Sequence, residues 1–272
     1  MQIYKICNNI NFVRLKVIVQ SCMKYVKPIV RILLSITLIV VFILAAVNMP
    51  RQRCERISAV AHTQNESITL GQADVEAMLA AANIEVVGKA MKEIDLGEIT
   101  TLLKANPYIA NVNFVHFAGK KLVIDYDLRN IMLHVFTPNG GHYLVDNEGV
   151  VVPFTAKMKD YLMIVNGNVS DNYKSGKRAP GKVQDALVLT KEIQKDDFSQ
   201  AQYRQIYLNN RNELELTTAI GGQIILFGSA DNAAEKLKNL KTVYENGLSH
   251  KGYNTYSQLD ARYKNRIIAT RI

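Results

Sequence analysis

Carboxylates, histidines and cysteines carry most catalysis and metal binding in proteins, and this sequence spaces them in few recognisable patterns. Asp125 and Asp127 alternate along a predicted strand, where a carboxylate pair could serve acid–base chemistry. The same alternation places both on one solvated strand face, and we favour that interpretation. The segment from Asp146 to Gly149 resembles a fragment of a calcium loop. It lacks the length and the closing ligands of such a loop, which favours a plain turn.

The histidines show no metal-ligand spacing such as H-x-x-x-H; they are His62, His116, His134, His142 and His250. Residues 57–272 hold none of the three cysteines, which excludes a disulfide framework, a zinc site or a cysteine nucleophile there. No nucleophile elbow, S-x-x-K motif or Walker glycine loop occurs. We therefore predict no catalytic, metal-binding or cofactor-binding residues and no cofactor.

Residues 32–50 form a stretch without a charged side chain, ILLSITLIVVFILAAVNMP. A bilayer needs roughly 20 apolar residues in a helix, and Ile29, Val30 and a snorkelling Arg31 complete that length. A buried core helix is one alternative, but soluble helices rarely lack charge for so long. A cleaved signal peptide is another, although its apolar region would span about 7–15 residues. We predict an uncleaved transmembrane helix over residues 29–49.

Positive charge is concentrated around this segment. The chain has a net charge of +9, and residues 1–56 account for +8 of it. A nucleic-acid-binding protein would instead carry a basic stripe on its folded part. The positive-inside rule predicts that residues 1–28 form a cytoplasmic tail and that the C-terminal part lies outside the cytoplasm. Met23 is an alternative start, so residues 1–22 either form a short tail or precede the true start.

Residues 55–128 are predicted to form a small α+β unit. The alternating sequence RISAVAH over Arg56–His62 indicates a strand. Amphipathic helices are expected over residues 72–83 and between Asp95 and Asn106, followed by strands over residues 112–117 and 121–128. This β-α-α-β-β order predicts two helices on one face of a three-stranded sheet.

Residues 129–272 are predicted to form a larger, mixed, strand-rich unit with two helices. The predicted strands are residues 131–136, 142–145, 150–154, 161–165, 205–208, 213–218, 223–227, 256–263 and 267–272. Helices are expected over Val183–Lys195 and Ala233–Asn246. Asp231 is the predicted cap of the second helix, and Gly247 its predicted end.

The order of these pieces resembles the FtsQ/DivIB family of bacterial cell-division proteins, in which the small unit is a POTRA domain. Four segments carry the resemblance: Asn106–Val112 before a POTRA strand, Tyr143–Pro153, Val165–Gly167 and Leu259–Tyr263. Together they extend the resemblance over residues 50–272. The domain junction departs from the family pattern. Arg129 stands there as in the family, but Leu128 and Ile131 replace its acid or amide and its proline.

The resemblance implies a non-enzymatic scaffold of the divisome that links early and late division proteins at the septum. It implies binding to the small coiled-coil division proteins FtsB and FtsL and to other divisome components. It also implies a single-pass protein of the inner (cytoplasmic) membrane, with a cytoplasmic N-terminus and a periplasmic C-terminal domain, that binds the lipid bilayer through one helix. The charge distribution described above predicts that the protein binds no nucleic acid.

The strand over Ile267–Ile272 is expected at a sheet edge. A free edge presents unpaired N–H and C=O groups to which a partner strand can add. We predict that the partner surface is formed or flanked by Tyr256, Gln258, Arg262, Tyr263, Ile267, Ile268 and Arg271. The alternative is that Tyr263 and the isoleucines are ordinary core residues.

Two other classes of function remain open. One is a POTRA-bearing component of an envelope export or assembly machine, although such proteins usually repeat the POTRA unit and one copy is visible here. The other is a membrane-anchored envelope enzyme, which would need a pocket that gathers Asp, Glu or His side chains.

Overall fold

The structure of the chain is a computed structural model that describes residues 30–45, 52–64, 68–155, 158 and 162–272. The predicted cytoplasmic tail lies outside the described residues, as do residues 29 and 46–49 of the predicted transmembrane segment. Residues 30–45 form a helix (α1). Its Ser35 Oγ donates to the Arg31 carbonyl over 2.8 Å, so this hydroxyl is satisfied within the helix. Among the residues described, no helix combines the length and the apolarity needed to cross a bilayer.

The chain divides into two compact units. Of the residues described, those up to residue 56 and residues 85–95 belong to the smaller unit, and those of residues 57–84 and 96–272 belong to the larger unit. In the smaller unit, Gly88 N donates to the Cys54 carbonyl over 2.7 Å, which connects its two segments. The larger unit contains both β-sheets.

The first sheet has three strands in the order β1-β3-β2, with β2 and β3 antiparallel. The elements of this region are β1 (Arg56–His62), α2 (Gln72–Ala81), a 3-10 turn (Met91–Glu93), α3 (Leu96–Ala105), β2 (Ile109–Ala118) and β3 (Lys121–Leu128). Helix α3 packs on β2. The alternation predicted for β3 is present, because Leu122, Ile124 and Tyr126 are fully buried while their neighbours are partly exposed.

Three predicted boundaries in this region are wrong, of which the smallest error is the end of β2, at Ala118 rather than at residue 117. Helix α2 ends at Ala81 rather than at residue 83, because Asn83 adopts a left-handed backbone (φ 57°) that ends the helical hydrogen bonding. Strand β2 begins at Ile109, three residues before the predicted start, because Ile109 pairs with Leu128 at the far end of β3.

The second sheet has nine strands in the order β12-β11-β10-β9-β8-β7-β4-β5-β6. Its strands are β4 (Ile131–Phe136), β5 (His142–Asp146), β6 (Val151–Val152), β7 (Met163–Gly167), β8 (Tyr203–Leu208), β9 (Leu214–Thr218), β10 (Ile224–Gly228), β11 (Tyr256–Asp260) and β12 (Ile268–Arg271). The strand predicted over residues 161–165 begins at Met163, and Tyr161 lies outside the described residues. The pairs β4–β7, β7–β8 and β10–β11 are parallel, and the other pairs are antiparallel.

The helices of this region are α4 (Val183–Ile193), α5 (Asp197–Gln202), α6 (Ala233–Val243) and α7 (Ser249–Lys251). Helix α4 packs on β4 and β7 and against α6, so these helices cover one face of the sheet. The core between them contains fully buried Leu133, Val135, Ile206 and Leu216. The other sheet face carries partly exposed apolar side chains such as Ile224.

The prediction of two helices in this region is wrong. Helix α5 was missed because its six residues, DFSQAQ, carry no apolar periodicity. Gly247 does not end the second helix, since the chain continues through a wider π turn (Tyr244–Leu248) into α7. Asn232, with a left-handed backbone, is the residue that precedes α6 in place of the predicted cap, Asp231.

Candidate binding edge of the nine-stranded sheet

Strand β12 lies at one end of the nine-stranded sheet, and β11 is its neighbour. The two strands are antiparallel, with Leu259 opposite Ala269 and Asp260 opposite Ile268. All four residues of β12 are exposed. In an antiparallel edge strand, every second residue directs its N–H and C=O away from the sheet. Within the part of the chain that the structure describes, these outward groups face no further strand.

Three of the predicted partner-binding residues are exposed at this edge. Tyr263 is 43% exposed and Ile268 is 45% exposed, and Arg271 is exposed at the end of β12. Arg266 lies over the Tyr263 ring, with its guanidinium carbon 4.9 Å from the ring centroid. This cation–π contact orders the turn between β11 and β12, in which Asn265 has a left-handed backbone (φ 60°).

The other four predicted residues are half-buried: Tyr256, Gln258, Arg262 and Ile267. Tyr256 and Ile267 pack against the hydrophobic core of the sheet and its helices. Ile267 is therefore partly a core residue, whereas Ile268 is not.

Arg262 is held by carboxylates of its own chain. Its Nε and Nη2 donate to Asp260 Oδ1 and Oδ2 over 2.9 and 2.6 Å, and its Nη1 lies 3.5 Å from Glu213 Oε2. The hydrogen bonds from Arg262 lower the pKa of Asp260, and those to Asp260 raise the pKa of Arg262. Arg262 thus joins the end of β11 to the loop before β9, and it flanks the edge as a fixed group.

Gly228, at the end of β10, makes room for the Arg262 side chain. A Cβ atom at this position would lie 2.9 Å from Arg262 Cγ, and the backbone φ of +79° is one that side-chain-bearing residues rarely adopt. Sequence reasoning missed Gly228 and Glu213 because their contacts with Arg262 cross between strands. The spacing of Asp260 and Arg262, two residues apart, was the available signal for their pairing.

The opposite end of the sheet is β6, and a loop covers it. Val151 N donates to the Lys177 carbonyl over 2.8 Å, and Gly176 N donates to the Val151 carbonyl over 2.9 Å. Val150 forms an antiparallel bridge with Arg178. Both residues of β6 are buried, so this edge already has a backbone partner.

Arg129 connects the two sheets of the larger unit. Its Nε donates to the Pro107 carbonyl over 2.9 Å, and its Nη1 donates to Asp146 Oδ2 over 2.6 Å. Its backbone N–H donates to the Tyr108 carbonyl over 3.0 Å. Leu128 and Ile131 differ from the family pattern, but Arg129 still forms hydrogen bonds on both sides of the junction.

Asp146 also organises the turn whose sequence resembles a calcium-loop fragment. Its Oδ1 accepts from the backbone N–H groups of Glu148 and Val150 over 2.9 and 2.8 Å. With Oδ2 on Arg129, both carboxylate oxygens are occupied by donors, as a plain turn requires.

Asp125 and Asp127 bind neighbouring polar side chains. Asn113 Nδ2 donates to Asp125 Oδ1 over 2.8 Å and to Asp127 Oδ1 over 3.1 Å, and His62 Nε2 lies 3.0 Å from Asp125 Oδ2. These contacts lower the pKa of Asp125, Asn113 contributing most, and the bond to Asp125 raises the pKa of His62. In the residues the structure describes, no group of three or more metal-ligating side chains converges.

Comparison with known families divides the chain at the same junction. A POTRA-like domain matches residues 52–126, and the family described as FtsQ/DivIB, C-terminal related, matches residues 131–270. None of the curated proteins matches the sequence significantly. The second match covers more than half of the chain, including the sheet with the open β12 edge and the covered β6 edge. The chain belongs to the FtsQ/DivIB family of cell-division proteins.

Proposed function

We propose that this protein is a non-catalytic scaffold of the divisome that binds an FtsB- or FtsL-like coiled-coil protein through the β12 edge. The observation that carries the proposal is the exposure of all four β12 residues at the end of the nine-stranded sheet. A partner strand that adds there gains main-chain hydrogen bonds along its length.

The side chains around β12 suit this role. Ile268 and Tyr263 supply exposed apolar area beside the free backbone groups, and Arg271 supplies a positive charge at the end of the strand. The Arg262–Asp260 pair holds the end of β11 in place beneath them. Main-chain pairing would supply affinity, and the exposed side chains would select the partner.

Membrane attachment is the second part of the proposal. We expect residues 29–49 to hold the protein in the inner membrane, with residues 1–28 in the cytoplasm and the sheets outside it. The support is the uncharged apolar stretch and the concentration of positive charge around it. This topology would place β12 where the extracytoplasmic parts of other division proteins lie.

The edge is tested by co-purification of an FtsB-like partner with full-length variants. Ile268→Asp places a charge on β12, and Ile224→Asp is the matched control, because Ile224 is 49% exposed but lies on the internal strand β10. We expect Ile268→Asp to weaken partner recovery at least tenfold and Ile224→Asp to leave it unchanged. Equal recovery with both variants would contradict the proposal.

Truncation gives a second measurement. A chain that stops after Lys264 lacks β12, whereas a chain that lacks only Ile272 keeps all four strand residues. We expect the first to lose the partner and the second to retain it. Circular dichroism should show that the POTRA-like region stays folded in both, and unimpaired binding by the first would overturn the edge proposal.

Cell imaging separates the scaffold from the two rival functions. A fluorescent fusion to the full chain should concentrate at midcell, and depletion should give filaments. A uniform envelope distribution with normal cell length would instead favour an export-assembly component or an envelope enzyme.

A further inference from the structure

Two histidines face each other on the neighbouring strands β4 and β5, five and six positions from β11 in the sheet order. His134 lies on β4 and His142 on β5, and His134 Nε2 is 3.1 Å from His142 Nδ1. In the register of these strands, Phe136 is opposite His142 and His134 is opposite Leu144. The two histidines are therefore diagonal neighbours on one face of the sheet.

Two phenylalanines hold these rings in place. The His134 ring centroid lies 4.2 Å from that of Phe136 and 5.1 Å from that of Phe154, the latter in a stacked arrangement. The His142 and Phe154 centroids are 4.4 Å apart. Phe136 and Phe154 are 39% and 41% exposed, so solvent reaches this four-ring cluster.

The facing ring nitrogens of the pair suit ligand chemistry. A neutral imidazole can leave either ring nitrogen free as a ligand. When a cation binds, the proton between the rings moves to the other nitrogen of the ring that carries it, so both rings stay neutral and both facing nitrogens present lone pairs.

We propose that His134 Nε2 and His142 Nδ1 together bind one late first-row divalent metal ion, with Cu²⁺ bound more tightly than Ni²⁺ or Zn²⁺. Imidazole suits all three ions, and Cu²⁺ leads the affinity order for divalent first-row metals. Two metal–nitrogen bonds of about 2.0–2.1 Å across the 3.1 Å gap subtend an angle of about 100° at the metal. That angle fits two adjacent positions of a tetragonal or distorted tetrahedral site.

The metal would replace the hydrogen bond between the rings, with each imidazole turning about its Cβ–Cγ bond to aim its lone pair. In the described residues no third metal-ligating side chain joins the pair, so water would fill the remaining positions. The resulting site is open and of modest affinity. It lies apart from the β12 edge and does not depend on the proposed function.

Metal titration of the full-length protein, purified through a tag without histidine, tests this site. Calorimetry with Cu²⁺, Ni²⁺ and Zn²⁺ should show one binding event that is weakened at least tenfold by His142→Ala. His116→Ala is the matched control, because the His116 ring also lies beside a phenylalanine, Phe114, in a tilted arrangement with centroids 5.0 Å apart. No second imidazole nitrogen bonds His116 within the described range.

Electron paramagnetic resonance of the Cu²⁺ complex gives an independent readout. Two coordinated imidazole nitrogens are expected in the parent protein and in His116→Ala, and fewer than two in His142→Ala. Thermal unfolding of the metal-free variants checks that each is folded. Absence of binding, or equal binding by the parent and His142→Ala, would overturn the proposal.

Discussion

The two ends of the nine-stranded sheet are built in opposite ways. At β6, the loop that contains Gly176 and Lys177 bonds to Val151 and hides the edge. At β12, all four residues are exposed. Strand β11 pairs with one side of β12, and no described strand pairs with the other. An open edge is an aggregation hazard that proteins usually cover or blunt. Among the residues that the structure describes, one edge of this sheet is covered and the other is open, and we propose that the open edge binds a partner.

Hydrogen exchange should show the largest contrast between the two edges. The amides of Val151 and Gly176 are bonded across the covered edge, so we expect them to exchange orders of magnitude more slowly than the outward amides of β12. Mass spectrometry or NMR on the full chain measures both. Similar protection at the two edges would show that β12 is covered in the free protein.

Removing one carboxylate near each edge should lower the free energy of unfolding by different amounts. Asp146→Ala leaves Arg129 without its buried partner and removes the acceptor of two turn amides, so we expect a loss of about 3–5 kcal/mol. Asp260→Ala breaks the partly exposed pair with Arg262 and should cost about 1–2 kcal/mol. Urea unfolding measures both losses.

A matched variant locates the source of the larger loss. Asp146→Asn keeps an oxygen that can accept from the turn amides but removes the charge that pairs with Arg129. It should lie between the parent and Asp146→Ala in stability. If Asp260→Ala proved the more damaging substitution, the β12 edge and not the β6 edge would be the more tightly built one.

Tyr143, on β5 beside the covered edge, should tolerate loss of its hydroxyl. This buried hydroxyl has no hydrogen-bond partner among the described residues, and its ring stacks on Tyr173 at 4.2 Å. We expect Tyr143→Phe to raise the free energy of unfolding by about 1 kcal/mol. Tyr126→Phe, the control, removes a hydroxyl that donates to the Leu70 carbonyl, and it should lower the free energy instead.

The stability of the protein at alkaline pH gives a second test of Tyr143. Burial raises the pKa of Tyr143 to about 12. The folded protein therefore holds this proton more tightly than the unfolded chain, whose tyrosine titrates near 10. The resulting stability is present below pH 10 and is lost as pH rises from about 10 to 12. Tyr143→Phe should lose less stability than the parent in that interval, as thermal unfolding would show.

The smallest effect on stability is expected at β12 itself. Ile268 is 45% exposed, so Ile268→Asp should change the free energy of unfolding by no more than about 0.5 kcal/mol. Chemical denaturation of the free protein measures this change. A larger loss would mean that Ile268 supports the fold, and weakened partner binding by the variant would no longer identify a contact.

Local patterns in the sequence predicted much of this architecture. The alternation in Arg56–His62 and Lys121–Leu128 identified β1 and β3 with their observed bounds, and the sequence of β4 identified Ile131–Phe136. Each of these signals lies within one strand. The π turn that contains Gly247 could not be predicted in this way, because the helix continues past a residue that usually ends one.

The differences between the edges depend on contacts that no local pattern contains. That β6 is covered follows from hydrogen bonds between Val151 and a polar loop about 25 residues away along the chain. The bond of Arg129 to Asp146 likewise joins two separate turns. The facing of His134 and His142 needs the β4–β5 register as well as the spacing of the two residues.

The strand order also determines when the β12 edge can form during folding. Strand β12 docks on β11, and β11 joins the sheet through its parallel pairing with β10, across a connection that includes α6. Parallel pairing across such a connection forms late, because the intervening chain must first close into a loop. The open edge is therefore completed only after that crossover has formed. A partner that requires β12 would recruit finished molecules and pass over those still folding.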